Sequence, residues 1–109
     1  MRPLYHPAIE AVTVQGILYA LSDPARVRIF TQLSRSQEAE RCCNFSQSGE
    51  VELPKSTLSQ HFKILREAGL IRSERKGVEL LNRSRCSELK RRFGPMITEI
   101  LRAYDKEKP

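Results

Sequence analysis

PKSTLSQHFKILREAGLIRSERKGVELLNR, residues 54–83, decides how the rest of the 109-residue chain is understood. Leu58, Phe62 and Leu65 recur at the three-to-four-residue spacing of a single buried helix stripe. Ser56, Ser59, Gln60 and Lys63 fall on another face, which is short, polar and positively charged. Small hydroxyls, an amide and an ammonium are groups that can enter a DNA major groove and hydrogen-bond base edges or phosphates. Pro54 to Ser56 suit a first helical turn, and Gly69 is a natural left-handed cap after the last periodic residue. Leu70 and Ile71 then open an extended segment to about Arg75, Lys76 and Gly77 make a tight turn, and Val78 to Asn82 return. The stretch is therefore a helix followed by a two-stranded hairpin with a basic tip.

Charge placement agrees with this use. Net charge is +6, and residues 55–92 hold eleven Lys or Arg (Lys55, Lys63, Arg66, Arg72, Arg75, Lys76, Arg83, Arg85, Lys90, Arg91, Arg92) against four Glu. That surplus of seven exceeds the net charge of the whole chain, so the remainder is slightly acidic. A surface that binds a polyanion needs its cations gathered in this way.

Outward from the stretch, the spacing predicts a first helix over residues 7–21, with Ile9, Val12, Ile17, Leu18 and Leu21 as its apolar positions. Asp23 can cap a second helix that begins at Pro24 and runs to about Leu33, with Arg26 and Arg28 on its outer side. Residues 34–53 are polar, with a short helix expected around residues 40–45 and a glycine loop near Gly49. The first helix of a helix-turn-helix would lie in that segment. Ser84 can cap a short basic helix through Phe93. After Gly94-Pro95, the residues Met96, Ile97, Ile100, Leu101 and Tyr104 repeat at helical spacing. A hydrophobic stripe at each end of so small a chain is more than one core needs, and a second copy is the economical cover for both.

Composition excludes several classes. A length of 109 residues suits a single domain, residues 1–109, and fractions of 39% hydrophobic and 29% charged are those of a globular chain. No window approaches the roughly 18 apolar residues of a membrane span. Glu10 and Gln15 break the apolar run that a secretory signal needs, and Cys42, Cys43 and Cys86 are too few and odd in number for a disulfide framework. A cytoplasmic protein is expected. No glycine-rich phosphate loop, paired carboxylates or Ser/His/Asp arrangement points to an enzyme.

Taken in order, the elements are those of a mainly α chain with a small β-hairpin, a winged helix-turn-helix with flanking N- and C-terminal dimerisation helices. ALSDPARVRIFTQL (residues 20–33) and KSTLSQHFKILREAGLIRSERKG (residues 55–77) are similar to the ArsR/SmtB repressors, many of which respond to metals or metalloids. The resemblance extends over nearly the whole chain and is most specific in residues 55–77. It implies a homodimer that places one such helix per subunit in successive major grooves of a pseudo-palindromic operator, with the wings on flanking backbone. Lys55, Ser56, Thr57, Ser59, Gln60 and His61 match the groove-facing start of the helix, with Lys63 one turn on, and Arg72, Arg75 and Lys76 match the wing. Dimerisation falls to Ile9, Val12, Ile97, Ile100, Leu101 and Tyr104. Two assignments have structural alternatives: Thr57 as a local backbone hydrogen bonder, and His61 as a half-buried residue at a helix seam.

The family's metal ligand sets fit this chain only in part. Cys42 and Cys43 lie where a pair separated by one residue is expected, but adjacency turns them about 100° apart on a helix. A second set, of Asp, His, His and Glu on the last helix, is absent, since the only histidines are His6 and His61. Three readings stay open: thiolates of Cys42, Cys43 and Cys86 holding a soft metal or metalloid ion, thiol oxidation aided by Arg41 and the basic surroundings of Cys86, or structural cysteines. An alternative for the whole chain is a winged-helix protein-interaction module, or one that binds nucleic acid without reading sequence.

Overall fold

The computed structural model describes residues 4–35, 40–41 and 53–107. A 3₁₀ turn, Ile9–Ala11, leads into helices α1 (Val14–Ala20) and α2 (Pro24–Arg35) and a short strand β1 (Glu40–Arg41). Helix α3 (Lys55–Glu67), strands β2 (Ile71–Lys76) and β3 (Glu79–Ser84), and helices α4 (Cys86–Phe93) and α5 (Met96–Lys106) follow. The chain is mainly helical, as expected.

Helix α2 starts where the sequence indicated. Asp23 Oδ1 accepts the backbone N–H of Ala25 at 2.8 Å and of Arg26 at 3.4 Å, ahead of a proline that has no N–H to satisfy. Val27, Ile29, Phe30 and Leu33 bury one side of α2 against Leu58, Phe62 and Leu65 of α3 in a shared core. Full burial of each large side chain contributes about 1.5–3 kcal/mol. Helix α3 ends at a glycine in the left-handed region, Gly69, with φ +87°. The N–H of Gly69 donates to Arg66 O at 3.1 Å and that of Leu70 to Leu65 O at 3.0 Å, closing a Schellman cap over two fully buried leucines.

The N-terminal segment departs from the expected continuous helix over residues 7–21. Val12 and Thr13 are extended, and the Thr13 hydroxyl accepts the Gly16 N–H at 3.0 Å, so a new helix begins after Thr13. The break leaves the carbonyls of Ile9 and Val12 turned to the side chain of Arg92, which donates to both. It also lets Val12 pack on Gly69 in the core. Leu18, expected on the buried stripe, is instead 53% exposed.

Three further expectations change. The expected hairpin forms, but its turn is Gly77-Val78 rather than Lys76-Gly77, so Lys76 ends β2 and the pairs run from Ile71 opposite Ser84 to Lys76 opposite Glu79; a third strand joins it in the order β1-β3-β2. Glu40 and Arg41, placed by sequence in a short helix, are that strand, opposite Asn82 and Leu81; residues 42–45 lie outside the described residues. Ser84 ends β3 rather than capping a helix, and α4 follows Arg85, whose guanidinium only donates and so offers no side-chain cap, while its N–H is bonded to Leu70 O at 2.9 Å.

Two glycine substitutions separate backbone strain from packing. A Cβ on Gly69 would stand 2.3 Å from Val12 Cγ2, whereas one on Gly77, φ +65°, would meet nothing within 4 Å. Urea denaturation should show Gly69→Ala losing about 2–5 kcal/mol, the left-handed cost plus overpacking, and Gly77→Ala about 1 kcal/mol.

Candidate nucleic-acid interface

Helix α3 is amphipathic in the sense the sequence indicated. With Leu58, Phe62 and Leu65 locked in the core, Ser56, Ser59, Gln60 and Lys63 are exposed along the opposite side. Lys55 is exposed at the first turn, and Pro54 offers no side-chain cap to the N–H groups there. A helix end of that kind carries partial positive charge suited to a phosphate. Ser56, Ser59, Gln60 and Lys63 share a cleft of about 260 Å³ with Arg75 of the wing and with Leu4. The helix face and the hairpin thus form one surface.

Two of the nominated helix residues lie at its border. Thr57 is half-buried. His61 is half-buried at the seam with α2, where its Nδ1 lies 3.2 Å from Arg26 Nη1. A guanidinium can only donate, so Nδ1 is the acceptor and the ring hydrogen is on Nε2. Arg26, expected on the outside of α2, is buried with 7% of its surface exposed. Its Nε donates to Ala20 O at 2.7 Å and its Nη2 to Tyr19 O at 3.4 Å, and the guanidinium lies 5.5 Å from the centre of the Tyr19 ring. A buried cation is tolerated because its donors are met. The signal was present in the sequence, since Arg26 sits three and four residues before Ile29 and Phe30, on the same helix side.

The wing is held against α3 by polar side chains that sequence reasoning passed over. Arg66 Nε donates to Ser73 Oγ at 3.0 Å, and Ser73 Oγ donates to Asn82 Oδ1 at 2.7 Å. Ser73 and Asn82 face each other across the hairpin, both buried, and Asn82 Nδ2 also reaches Leu80 O at 3.3 Å. Ser73 occupies the inward phase of the strand beside Ile71, which alternation alone could have flagged. At the tip, Arg75 and Lys76 are exposed. Arg72, at the base, is drawn to Glu88 of α4 at 3.5 Å, and Glu88 is held more closely by Arg85 at 2.9 Å. The hydrogen bond from Arg85, ahead of the charges of Arg85 and Arg72, holds the Glu88 carboxyl below the usual carboxylate range.

The residues nominated for dimerisation divide. Val12 and Ile97 are buried within the subunit's own core, at 2% and 4% exposure. Ile9, Ile100, Leu101 and Tyr104 are half-buried against it, and the Tyr104 hydroxyl donates to Leu21 O at 2.5 Å. The large apolar side chains left exposed on α1 are Val14, Leu18 and Tyr19. Of the candidate thiols, Cys42 and Cys43 lie outside the described residues. Cys86 is half-buried at the start of α4, with its Sγ 3.3 Å from the Ser34 hydroxyl of α2. Among the described residues no three of His, Cys, Asp or Glu gather where a metal ion could be held. No described helix is long and apolar enough to cross a membrane.

Comparison with known proteins bears on this surface directly. Residues 23–73 match the model of a family described as bacterial regulatory protein, arsR family. The HTH-type transcriptional repressor SmtB of Mycobacterium tuberculosis, in strains CDC 1551 / Oshkosh and ATCC 25618 / H37Rv, is 39% identical over 78 residues, which cover 71% of this chain and 55% of the relative. The chain spans about half the length of the curated relatives it matches. Among solved structures, an ArsR-like transcriptional regulator from Rhodococcus sp. RHA1 superposes with a TM-score of 0.56 at 23% identity. Mycobacterium tuberculosis Rv0081 superposes with a TM-score of 0.63 at 22% identity. Each alignment covers 84% of this chain and 89% of the other. These likenesses establish the winged-helix fold.

The polar link between helix and wing can be tested on stability alone. Asn82→Ala removes the acceptor of the buried Ser73 hydroxyl and should cost about 1–3 kcal/mol in urea denaturation. Substitution of the exposed Arg75 by Ala should change stability by less than about 0.5 kcal/mol.

Proposed function

The chain belongs to the ArsR/SmtB family of regulatory proteins, and from that premise we propose that it is a homodimeric, sequence-specific DNA-binding repressor released by an effector. The observation that carries this reading is the shared cleft in which Ser56, Ser59, Gln60 and Lys63 of α3 stand beside Arg75 of the wing. An amide and hydroxyls on the exposed side of a helix suit base edges, and cations on the hairpin tip suit phosphates. Lys55, Thr57 and His61 border the helix surface. Arg72 contributes at the wing's base with part of its charge answered by Glu88.

The dimer would form through α1 and α5. Val14, Leu18 and Tyr19 are exposed on α1, and Ile100, Leu101 and Tyr104 are partly exposed on α5. Ile9 adds to this face. Val12 and Ile97 support it from within, since their own surfaces are already buried. A two-fold pair of reading heads then matches a pseudo-palindromic operator. The effector acts through thiol oxidation or a soft metal or metalloid ion, with Cys86 at the α2–α4 seam and Cys42 and Cys43 as the candidate groups. Displacement of α2 at that seam would reach α3 through the contact of Arg26 with His61. In this reading the chain acts as a cytoplasmic regulator rather than as an enzyme.

Binding to the DNA of its own promoter region, titrated with salt, tests the reading. The intact chain should prefer one palindromic site over random DNA, and equal affinity for both would reduce it to a non-specific nucleic-acid binder. Gln60→Ala should narrow the preference between operator variants by about 1–3 kcal/mol per contacted base pair. Lys76→Ala should instead weaken binding to every sequence and lower the salt slope by about one.

A further inference from the structure

Residues 4–7 lie along the open edge of the wing. Strand β2 is an edge strand, and its Ser73 N–H donates to His6 Nε2 at 2.9 Å. Nearer the wing's base, buried Arg85 donates from Nη1 to Pro7 O at 2.8 Å. At the other end Leu4 lines the cleft formed by Ser56, Ser59, Gln60, Lys63 and Arg75. The segment therefore runs antiparallel to β2, from the cleft down to the base. Between the residue in the cleft and the residue pinned to the wing is Tyr5, which is 63% exposed.

We propose that this N-terminal strap is a third DNA-contacting element, in which the Tyr5 phenol donates to a phosphate beside the site read by α3, and His6 is the positioning residue that docks the strap on the wing. The proposal rests on the DNA-binding reading above. A strap whose task was only to cover the free edge of β2 would leave DNA affinity untouched. This one places Leu4 in the cleft beside Lys63 and Arg75, where a phosphate backbone following the helix and wing would pass. A phenol is a neutral donor that adds a directed hydrogen bond there without further self-repulsion among the cations.

The pin also makes the strap sensitive to pH. Burial first, and then the charges of Arg72, Arg66 and Arg85, lower the His6 pKa from its ordinary 6.5, while a hydrogen bond to the Leu4 backbone works the other way. The groups facing it are Arg66 from α3, Arg72 from β2 and Arg85 before α4, with Glu88 of α4 paired to Arg85 and Arg72. Only neutral His6 has a lone pair at Nε2 for the Ser73 N–H. A depressed pKa in the docked state means that docking is strongest above the undocked value of 6.5 and weakens as pH falls from there toward the lowered docked value.

The test is operator affinity of the full chain together with a hydroxyl-radical footprint, at about pH 7.5 and about pH 5.5. Tyr5→Ala and Tyr5→Phe should each weaken binding about threefold to tenfold and remove protection of backbone positions next to the wing. His6→Ala should do the same at the higher pH. His6→Gln, whose amide oxygen accepts at every pH, should restore binding and abolish the extra loss on acidification. Thermal melts of each variant show whether the fold is kept. Unchanged affinity and footprint in both Tyr5 variants, while Lys76→Ala still weakens binding, would overturn the strap and leave the DNA-binding reading intact. If the intact chain shows no affinity for DNA at either pH, both fall together.

Discussion

The relation between α3 and the wing depends on one buried chain of hydrogen bonds, from Arg66 on the helix through Ser73 to Asn82 on the hairpin. Apolar packing fixes how deep α3 sits, because Leu58, Phe62 and Leu65 admit only one side of the helix to the core. It also anchors the base of the hairpin through Leu70 and Ile71, and the polar chain then sets how the rest of the hairpin stands relative to the exposed side. Hydrogen bonds are directional, and a buried hydroxyl between a guanidinium and an amide oxygen has one arrangement that satisfies all of them. A surface assembled from a helix and a hairpin needs that constraint if donors on both are to meet a rigid duplex together.

The same chain of contacts shows that the basic surplus is divided between two tasks. Arg66 and Arg85 are buried, and Arg92 is turned to the carbonyls of Ile9 and Val12. Arg72 is shared with Glu88. These cations organise the protein, so the charge available to a polyanion is narrower than the sequence total of residues 55–92. What remains on α3 and the wing tip, Lys55, Lys63, Arg75 and Lys76, is confined to the surface already identified by its polar groups. Arginine suits the internal task because its planar fork can meet several carbonyl and carboxylate oxygens at once.

Much of this was legible in the residues because the elements involved are governed by local rules. The stripe of α3, the cap at Gly69 and the cap at Asp23 each depend on neighbours within a few positions and were found where spacing put them, and the hairpin turn was found one residue further on. The misreadings have a common cause in contacts between distant parts of the chain. Nothing near Val12 announces that Arg92 will take its carbonyl, and nothing near Arg26 announces that His61 will accept from it. Ser84 lost its expected role for the same reason, since the strand continues through it and the Arg85 N–H is taken by Leu70. The candidate site was clearer than its supports: the exposed side chains follow helical phase, while the buried polar residues behind them follow tertiary pairing.

Those distant contacts also define which movements of the end helices can reach α3. The C-terminal end of α1 gathers three attachments within residues 19–21: Arg26 bonds the carbonyls of Tyr19 and Ala20, and Tyr104 of α5 bonds that of Leu21. Arg26 in turn meets His61 in the first half of α3. A movement of α1 or α5 therefore cannot leave Arg26 in place without breaking a buried hydrogen bond, and each such break costs about 1–3 kcal/mol. Coupling through packed helices needs an element with two discrete arrangements, and a guanidinium on α2 whose acceptors belong to both α1 and α3 meets that requirement better than an apolar contact, which can slide. The path from the helices at the ends of the chain to α3 thus runs through a side chain that composition would assign to solvent.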